Sequence, residues 1–469
     1  MNDPLVSVII PAFKQAEFIG AAIRSVLDQT YTNVEVIVVD DVSPDNTADV
    51  VRSFDDPRLH YILHDKNRML AAARNTGMRA ARGEIFALLD ADDYFDPKKI
   101  AMHVDYLRQN PQVGVSYNAR YDLLCAGDGI RNSVRVPPTL TLASLVLGFP
   151  FCPSDMVLRR EWAYAVDLFD ESYIHFSEDL DINCRLALAG CQFGGIDRCL
   201  NYRRFHANRV IRNTRQRLEG SVRALDKTFA DPRTPPEVQA LKGRAYANNY
   251  VVWGVEALHQ FDTATGLEFL ATAVQYLPEM LAGTPNELTD FLMYEVIFDE
   301  TADHPKTYRE IVAQLPPDKY AAVHAQMEWG IARAWLVKAY RALIWGSREA
   351  GRAYLREAVQ AGAVVDDQYR RDVVYQLRGY EIERGTEAAY AAADRMDEEF
   401  KLAMPAAKLP SLASAMRLAQ AFEHYNAGQN EAVPSEILRA FRMDPRTMLN
   451  RGALSILVRS AVQTRLGAK

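Results

Sequence analysis

The stretch Ile85-Phe-Ala-Leu-Leu-Asp90-Ala-Asp92-Asp93 decides the reading of this chain, because five apolar residues end abruptly in three carboxylates. A short apolar run bounded by polar residues reads as a buried strand. Like charges this close repel and push a carboxyl pKa upward unless a cation neutralises them. A hard divalent ion, Mg²⁺ or Mn²⁺, resolves the conflict by taking one or two protein oxygens and the rest from phosphate and water. The bland alternative is a helix cap ahead of Pro97, but a cap needs one carboxylate rather than three.

A second strand with the same ending lies upstream, Val34-Glu-Val-Ile-Val-Val-Asp40-Asp41-Val-Ser43. In open α/β sheets ligands sit outside the carboxyl ends of the strands, which puts Asp40 and Asp41 at a nucleotide crevice. Capping of the helix near Thr47 competes with that reading, although Ser43, Asp45 and Asn46 already offer caps. Apolar runs at 6–10, 34–39, 59–63, 85–89 and 113–117 alternate with helical patterns at 16–28, 47–54, 70–81 and 97–110. Such alternation predicts βαβ units and a Rossmann-like, mostly parallel sheet.

Residues 118–210 are less regular, with Pro137, Pro138, Pro150 and Pro153 marking loops. From about Thr214 the strand signal vanishes into Ala-, Leu-, Arg- and Glu-rich stretches. The expected division is a catalytic α/β domain over residues 1–213 and an all-helical domain over 214–469. Weak self-similarity at 242–278, 327–362 and 413–445 resembles tetratricopeptide-like helical hairpins, with a plain bundle as the alternative.

Three further segments carry chemistry. Ala71-Ala-Ala-Arg74-Asn75-Thr-Gly77 would aim Arg74 and Asn75 at a phosphate or base edge, although an Arg on a helix is usually a solvated face. Ser177-Glu178-Asp179-Leu-Asp181 opens a helix, where acids are favoured by the dipole alone; a glycosyl transfer with inversion would instead use Asp179 as the base that takes the acceptor proton. Asn201-Tyr-Arg203-Arg204-Phe-His206 is basic and aromatic, so Arg203 would face a diphosphate and His206 would reach a metal, unless His206 is structural.

The chain of 469 residues, 49% hydrophobic and 25% charged, is an ordinary multi-domain globular protein, and its net charge of −7 excludes the overall basic excess of a non-specific nucleic-acid binder. Residues 1–30 do not read as a secretory leader, and no apolar run reaches the length of a membrane span. Five cysteines without a C-x-x-C pair point to a reducing cytoplasm.

In order and spacing these signals resemble the family 2 glycosyltransferases with a GT-A fold over about residues 4–210. The resemblance rests on Val6-Ser-Val-Ile-Ile-Pro11-Ala-Phe, Asp40-Asp41-Val-Ser43, Ala73-Arg74-Asn75-Thr-Gly77, Gly83-Glu84-Ile, Asp90-Ala-Asp92-Asp93, Arg159-Arg160-Glu161, Glu178-Asp179 and Tyr202-Arg203-Arg-Phe-His206. It implies Pro11 and Asp41 beside the nucleotide base, Arg74 near it, Asp90 and Asp92 as the Asp-x-Asp element at ribose and metal, and Asp93, Asn75, Glu178 and Arg203 around the donor. Asp92 would be the metal ligand and Asp179 the base of an inverting, single-displacement transfer from a nucleotide sugar, with UDP-sugars the commonest donors.

Three departures stand out: Phe13-Lys14 for Tyr-Asn, Val42 for the Gly after the aspartates, and no Gln-x-x-Arg-Trp element. The last implies one sugar per encounter rather than processive synthesis. Expected partners are a nucleotide-sugar donor and a glycan, lipid-linked or protein acceptor in surface-polysaccharide or glycoconjugate synthesis. Nucleic acid is not expected, and a homo-oligomer through the helices stays open. The expected location is cytoplasmic, with a peripheral place at the inner membrane face also in view. Two rivals are a nucleotidyltransferase, which lacks its Gly-rich phosphate loop here, and an inactive nucleotide-binding scaffold whose helices recruit partners.

Overall fold

The structure, a computed structural model, describes residues 3–123, 129–148, 151–174, 176–205, 213–297, 303–405, 411–426 and 428–467. The chain divides into two compact units, Met1–Met327 and Glu328–Lys469.

In the first unit the elements run β1 (Val6–Ala12), α1 (Ile19–Leu27), β2 (Val34–Asp40), α2 (Thr47–Arg52), β3 (Leu59–Leu63), α3 (Met69–Ala80), β4 (Ile85–Leu88), β5 (Tyr94–Phe95), α4 (Lys99–Gln109) and β6 (Val113–Leu123). They continue with β7 (Ile130–Val134), β8 (Thr139–Leu140), α5 (Leu142–Leu147), β9 (Met156–Arg159), α6 (Arg160–Ala165), α7 (Glu178–Leu188) and β10 (Gln192–Arg203). The strand order is β3-β2-β1-β4-β9-β6-β10-β5, with β7 beside β6 and β8 beside β10. Six of the eight strands on this path point the same way; only β9 and β5 run against their neighbours. This is the mixed, mostly parallel sheet expected of a GT-A domain.

Every residue of β1, β2 and β6 is buried, which is what a sheet covered on both faces requires of near-continuous apolar runs. Helix α1 turns Ile19, Ala22, Ile23 and Val26 inward, one stripe at helical spacing. Helix α3 lies close on β1 because Gly77 has no side chain: a Cβ there would stand 2.6 Å from Cγ2 of Ile9. That approach sets how far Arg74, on the same helix, reaches across the end of the sheet.

The helical run of this unit is α8 (Thr214–Ala230), α9 (Pro236–Gln239), α10 (Lys242–His259), α11 (Thr263–Tyr276), α12 (Glu287–Val296), α13 (His304–Ala313) and α14 (Ala321–Ala325). Strands thus end at Arg203 and helices resume at Thr214, yet these helices belong to the same compact unit as the sheet. Helices α10 and α11 form a close pair in which a Cβ on Gly266 would lie 2.6 Å from the Leu258 side chain, and the Asp262 carboxylate caps α11 by accepting from Thr265 N–H.

The second unit is helical among its described residues: α15 (Met327–Trp345), α16 (Arg348–Gln360), α17 (Asp367–Arg384), α18 (Thr386–Ala403), α19 (Leu412–Asn426), α20 (Val433–Met443), a 3-10 turn at Pro445–Leu449, and α21 (Arg451–Gly467). Ser347 and Asp366 cap α16 and α17 through Ala350 N–H and Tyr369 N–H, so the sequence marks its own breaks. Among the described residues no helix is long and apolar enough to cross a membrane.

Candidate active site

Strands β1, β2 and β4 are parallel neighbours, so their carboxyl ends bring Pro11, Asp40, Asp41 and the turn Asp90–Asp93 to one edge of the sheet. Four of the seven non-glycine residues with positive φ among the described residues lie along this edge: Lys14 (φ 57°), Val42 (63°), Met69 (69°) and Ser177 (71°). Left-handed backbone is costly for residues with a Cβ, above all for a β-branched one such as Val42, and such strain concentrates at functional sites.

The Asp40 and Asp41 carboxylates are held by the fold. Asp40 accepts from the Ser43 N–H at 2.8 Å and from the Tyr61 hydroxyl at 2.7 Å. Oδ1 of Asp41 accepts from Nδ1 of His64 and from the Arg68 N–H, both at 2.7 Å, and its Oδ2 from the Met69 N–H at 2.8 Å. Asp41 therefore satisfies two backbone donors at the start of α3, groups a helix leaves without internal partners. Pro11 lies inside β1 opposite Val39. A cavity of about 390 Å³ opens beside these two strand ends, lined by Lys14 to Phe18 and by Asp45 and Asn46.

The Asp90–Asp93 turn is held differently. Arg74 is buried and donates Nη2 to Oδ1 of Asp90 at 2.7 Å and Nη1 to Oε1 of Glu178. It lies 5.4 Å from the centroid of the Phe169 ring, while Asn75 pins that segment by donating to the Phe169 carbonyl and accepting from the Phe169 N–H. Burial opposes the Arg74 charge, but Asp90 and Glu178 outweigh it and hold the pKa above the usual arginine range. Asp93 is fully buried: it accepts from the Ser154 hydroxyl at 2.7 Å and from the Arg204 N–H at 3.2 Å. Ser154 also accepts from the Asp90 N–H at 3.1 Å, so one hydroxyl ties both ends of the turn.

Arg204 reaches the Asp92 carbonyl at 3.2 Å and lies over the Tyr94 ring. Arg203 is instead paired with Asp122, at 3.0 and 3.2 Å, and lies over Phe205. Ser154 and Arg204 were not singled out from the sequence. Ser154 sits in an irregular Pro-rich loop with no motif, whereas Arg204 carried a signal shared with Arg203, and only strand register separates the two. His206 lies outside the described residues.

Asp179 is half-buried at the start of α7, one residue beyond Glu178. Burial and then the neighbouring Glu178 carboxylate push its pKa up to about 7, against the pull of Arg74. A carboxyl poised near neutrality is what a general base needs. Behind the turn lies a buried polar layer in which Lys99 donates to Asn118, and His103 stands 2.9 Å from the same Asn118 oxygen. Burial brings Lys99 down to about 7 against the pull of Asp155.

Among the described residues no group of three or more His, Cys, Asp or Glu side chains is placed to hold a metal. Asp90 and Asp92 supply oxygen donors of the kind a hard divalent cation takes when phosphate and water complete its shell.

Residues 7–166 match the family model described as glycosyl transferase family 2. The chain carries a glycosyl transferase family 2 domain, an enzyme domain. Among curated proteins it is similar to WfgD of Escherichia coli, a UDP-Glc:α-D-GlcNAc-diphosphoundecaprenol β-1,3-glucosyltransferase, at 40% identity over 24% of this chain and 44% of that protein. It is also similar to TuaG of Bacillus subtilis, a glycosyltransferase assigned to teichuronic acid biosynthesis, at 28% identity over 45% of this chain and 82% of that one. The match to WfgD thus spans less than half of that protein's length. Among solved structures, S. aureus TarS residues 1–349 in complex with UDP-GlcNAc aligns with a TM-score of 0.48 at 16% identity, over 70% of this chain and 92% of that one.

Proposed function

We propose that this protein is an inverting, metal-dependent glycosyltransferase that moves one sugar per encounter from a UDP-sugar to an acceptor hydroxyl. The observation that carries the reading is the placement of Asp179 beside the Arg74–Glu178–Asp90 cluster at the carboxyl edge of the sheet, where burial and Glu178 push its carboxyl up to about 7.

In this reading the acceptor oxygen attacks the anomeric carbon as its proton passes to Asp179. The bond from that carbon to the diphosphate oxygen breaks on the opposite face, so configuration inverts in one displacement. Pro11, Asp40 and Asp41 wall the base side of the crevice, while Arg74 sets the positions of Asp90 and Glu178. Asp92 would hold Mn²⁺ or Mg²⁺, with His206 as a further ligand and Asp90 beside the ribose; when bound, the cation supplies charge neutralisation for the departing diphosphate. Asn75 and Asp93 fix the walls, and Arg204 brings positive charge to the diphosphate side, while Arg203 is taken up by its pair with Asp122.

Residues 1–213 then form the catalytic part, and the helices of 214–469, in tetratricopeptide-like pairs, bind the acceptor or a partner. The similarity to WfgD and TuaG supports an acceptor in surface-glycan synthesis, lipid-linked like the diphosphoundecaprenol acceptor of WfgD, and with it a cytoplasmic protein peripheral to the inner membrane face.

Calorimetry with UDP, GDP and CDP in the presence of Mn²⁺, on wild type and Asp92→Ala, tests the reading. UDP binding that needs both the cation and Asp92 sustains it. Absence of binding by every nucleotide overturns it.

A further inference from the structure

Among its described side chains, helix α21 has two apolar stripes, of which one is packed. Ala453 and Ile456 join Leu418, Ala421, Val433, Ile437 and Ala440 in a core shared with α19 and α20. On the opposite side Leu454 and Val458, one helical turn apart, face outward, Val458 at 63% exposure. The preceding 3-10 turn adds Met448 and Leu449, the latter 83% exposed. Scattered exposed apolar residues are ordinary, whereas a run of them over successive turns marks an interaction surface.

Charge identifies the partner. From residue 439 onward the sequence holds seven basic residues and one acidic residue, within a chain whose net charge is −7. Exposed Arg451 stands on the same helical face as Leu454 and Val458, three and seven residues before them, exposed Arg459 flanks Val458 at the next position, and Arg442 is exposed at the end of α20. The one acidic residue, Asp444, is buried and already paired with Arg446. Leucine, valine and methionine flanked by arginines and free of acids form the pattern of a helix that lies in a lipid interface, the apolar side chains entering the acyl boundary and the cations meeting anionic headgroups.

We propose that the surface formed by Met448, Leu449, Arg451, Leu454, Val458 and Arg459 docks this protein on an anionic lipid bilayer. The proposal gives a surface to the peripheral placement proposed above, and it stands apart from the transfer chemistry, because none of these residues belongs to the sheet edge.

Co-sedimentation of the full-length protein with vesicles of phosphatidylglycerol and phosphatidylcholine, against phosphatidylcholine alone, tests it. Binding is expected only with the anionic lipid and should weaken as salt rises. Leu454→Asp with Val458→Asp, and separately Arg451→Glu with Arg459→Glu, should each lower partitioning at least about tenfold, with melting temperature and UDP binding unchanged because all four side chains are exposed. Equal binding to both vesicle types, no binding to either, or variants that bind like wild type would overturn the proposal. A concentration-dependent dimer abolished by the Leu454→Asp and Val458→Asp pair, without lipid binding, would do so in favour of a second copy of this chain.

Discussion

Two acidic strand ends that look alike in sequence are put to different uses. At the end of β2, Asp40 and Asp41 are enclosed: a tyrosine hydroxyl, a histidine ring and three backbone N–H groups point at their oxygens. At the end of β4, the carboxylates are shared among a buried arginine, one serine and the Arg204 N–H just past β10, and together with Glu178 and Asp179 they gather negative charge at the sheet edge. The first cluster holds the start of α3 in place. The second concentrates charge where a diphosphate and its cation would arrive. The two clusters thus differ in what meets their charge: mostly backbone N–H groups at β2, mostly side chains drawn from distant segments at β4.

The largest expected effect tests the second cluster. Asp179→Asn should lower turnover about a thousandfold, the scale of a lost general base, while UDP affinity measured by calorimetry stays within about twofold. Wild-type turnover should rise with pH through about 7, where Asp179 ionises. The same raised pKa has a stability sign. The folded state holds that proton more tightly than the unfolded chain, so this contribution is full below the ordinary aspartate pKa and is lost as pH rises through about 7. Asp179→Asn should consequently melt higher than wild type at pH 8, and the advantage should vanish at pH 4; no difference at pH 8 would place Asp179 in a more solvated site.

Next in size is Arg74→Met, which leaves Asp90 and Glu178 facing each other without their shared cation. Breaking a buried pair from one side costs about 3–5 kcal/mol, to be read from urea unfolding. The direct test of the contrast sets Asp41→Ala against Asp92→Ala. Asp41→Ala should lose about 2–3 kcal/mol of stability, since it orphans helix-start N–H groups and a histidine. Asp92→Ala should lose cation-dependent UDP binding with a smaller change in stability. The reverse ranking in thermal melts would break the comparison.

The smallest effect is Val42→Gly. Placing glycine where the backbone is left-handed should stabilise the fold by about 1 kcal/mol, provided the strained valine is not itself held by a contact worth more. A destabilised variant would identify such a contact.

The sequence placed the βαβ half well because its elements are strongly patterned. The runs at 6–10, 34–39, 59–63 and 113–117 all lie inside strands, α1, α2 and α4 fall within their expected ranges, and α3 starts one residue before its own. It did not reveal β10, the strand between β6 and β5, because Gly194, Gly195, Asp197 and Arg198 interrupt the apolar alternation and the pairing with β6 shifts register three times. The strands β5, β7, β8 and β9 escaped for another reason: most are short, and they are strands only because a neighbour offers an edge. At the site, aspartates and Arg74 were legible as residue types, but the partners that define their roles come from far along the chain. Glu178 lies 104 residues from Arg74, Ser154 lies 61 residues from Asp93, and Arg204 meets Asp93 across 111.

What the sequence alone determined is the periodic content: parallel strands ending in carboxylates, helices between them, and a strand-free remainder, because burial imposes a repeat that local composition records. What only the tertiary structure decided is the use of each charge. Whether an aspartate is a staple or a site residue depends on which donors surround it, and those donors arrive through long-range packing that no local pattern encodes.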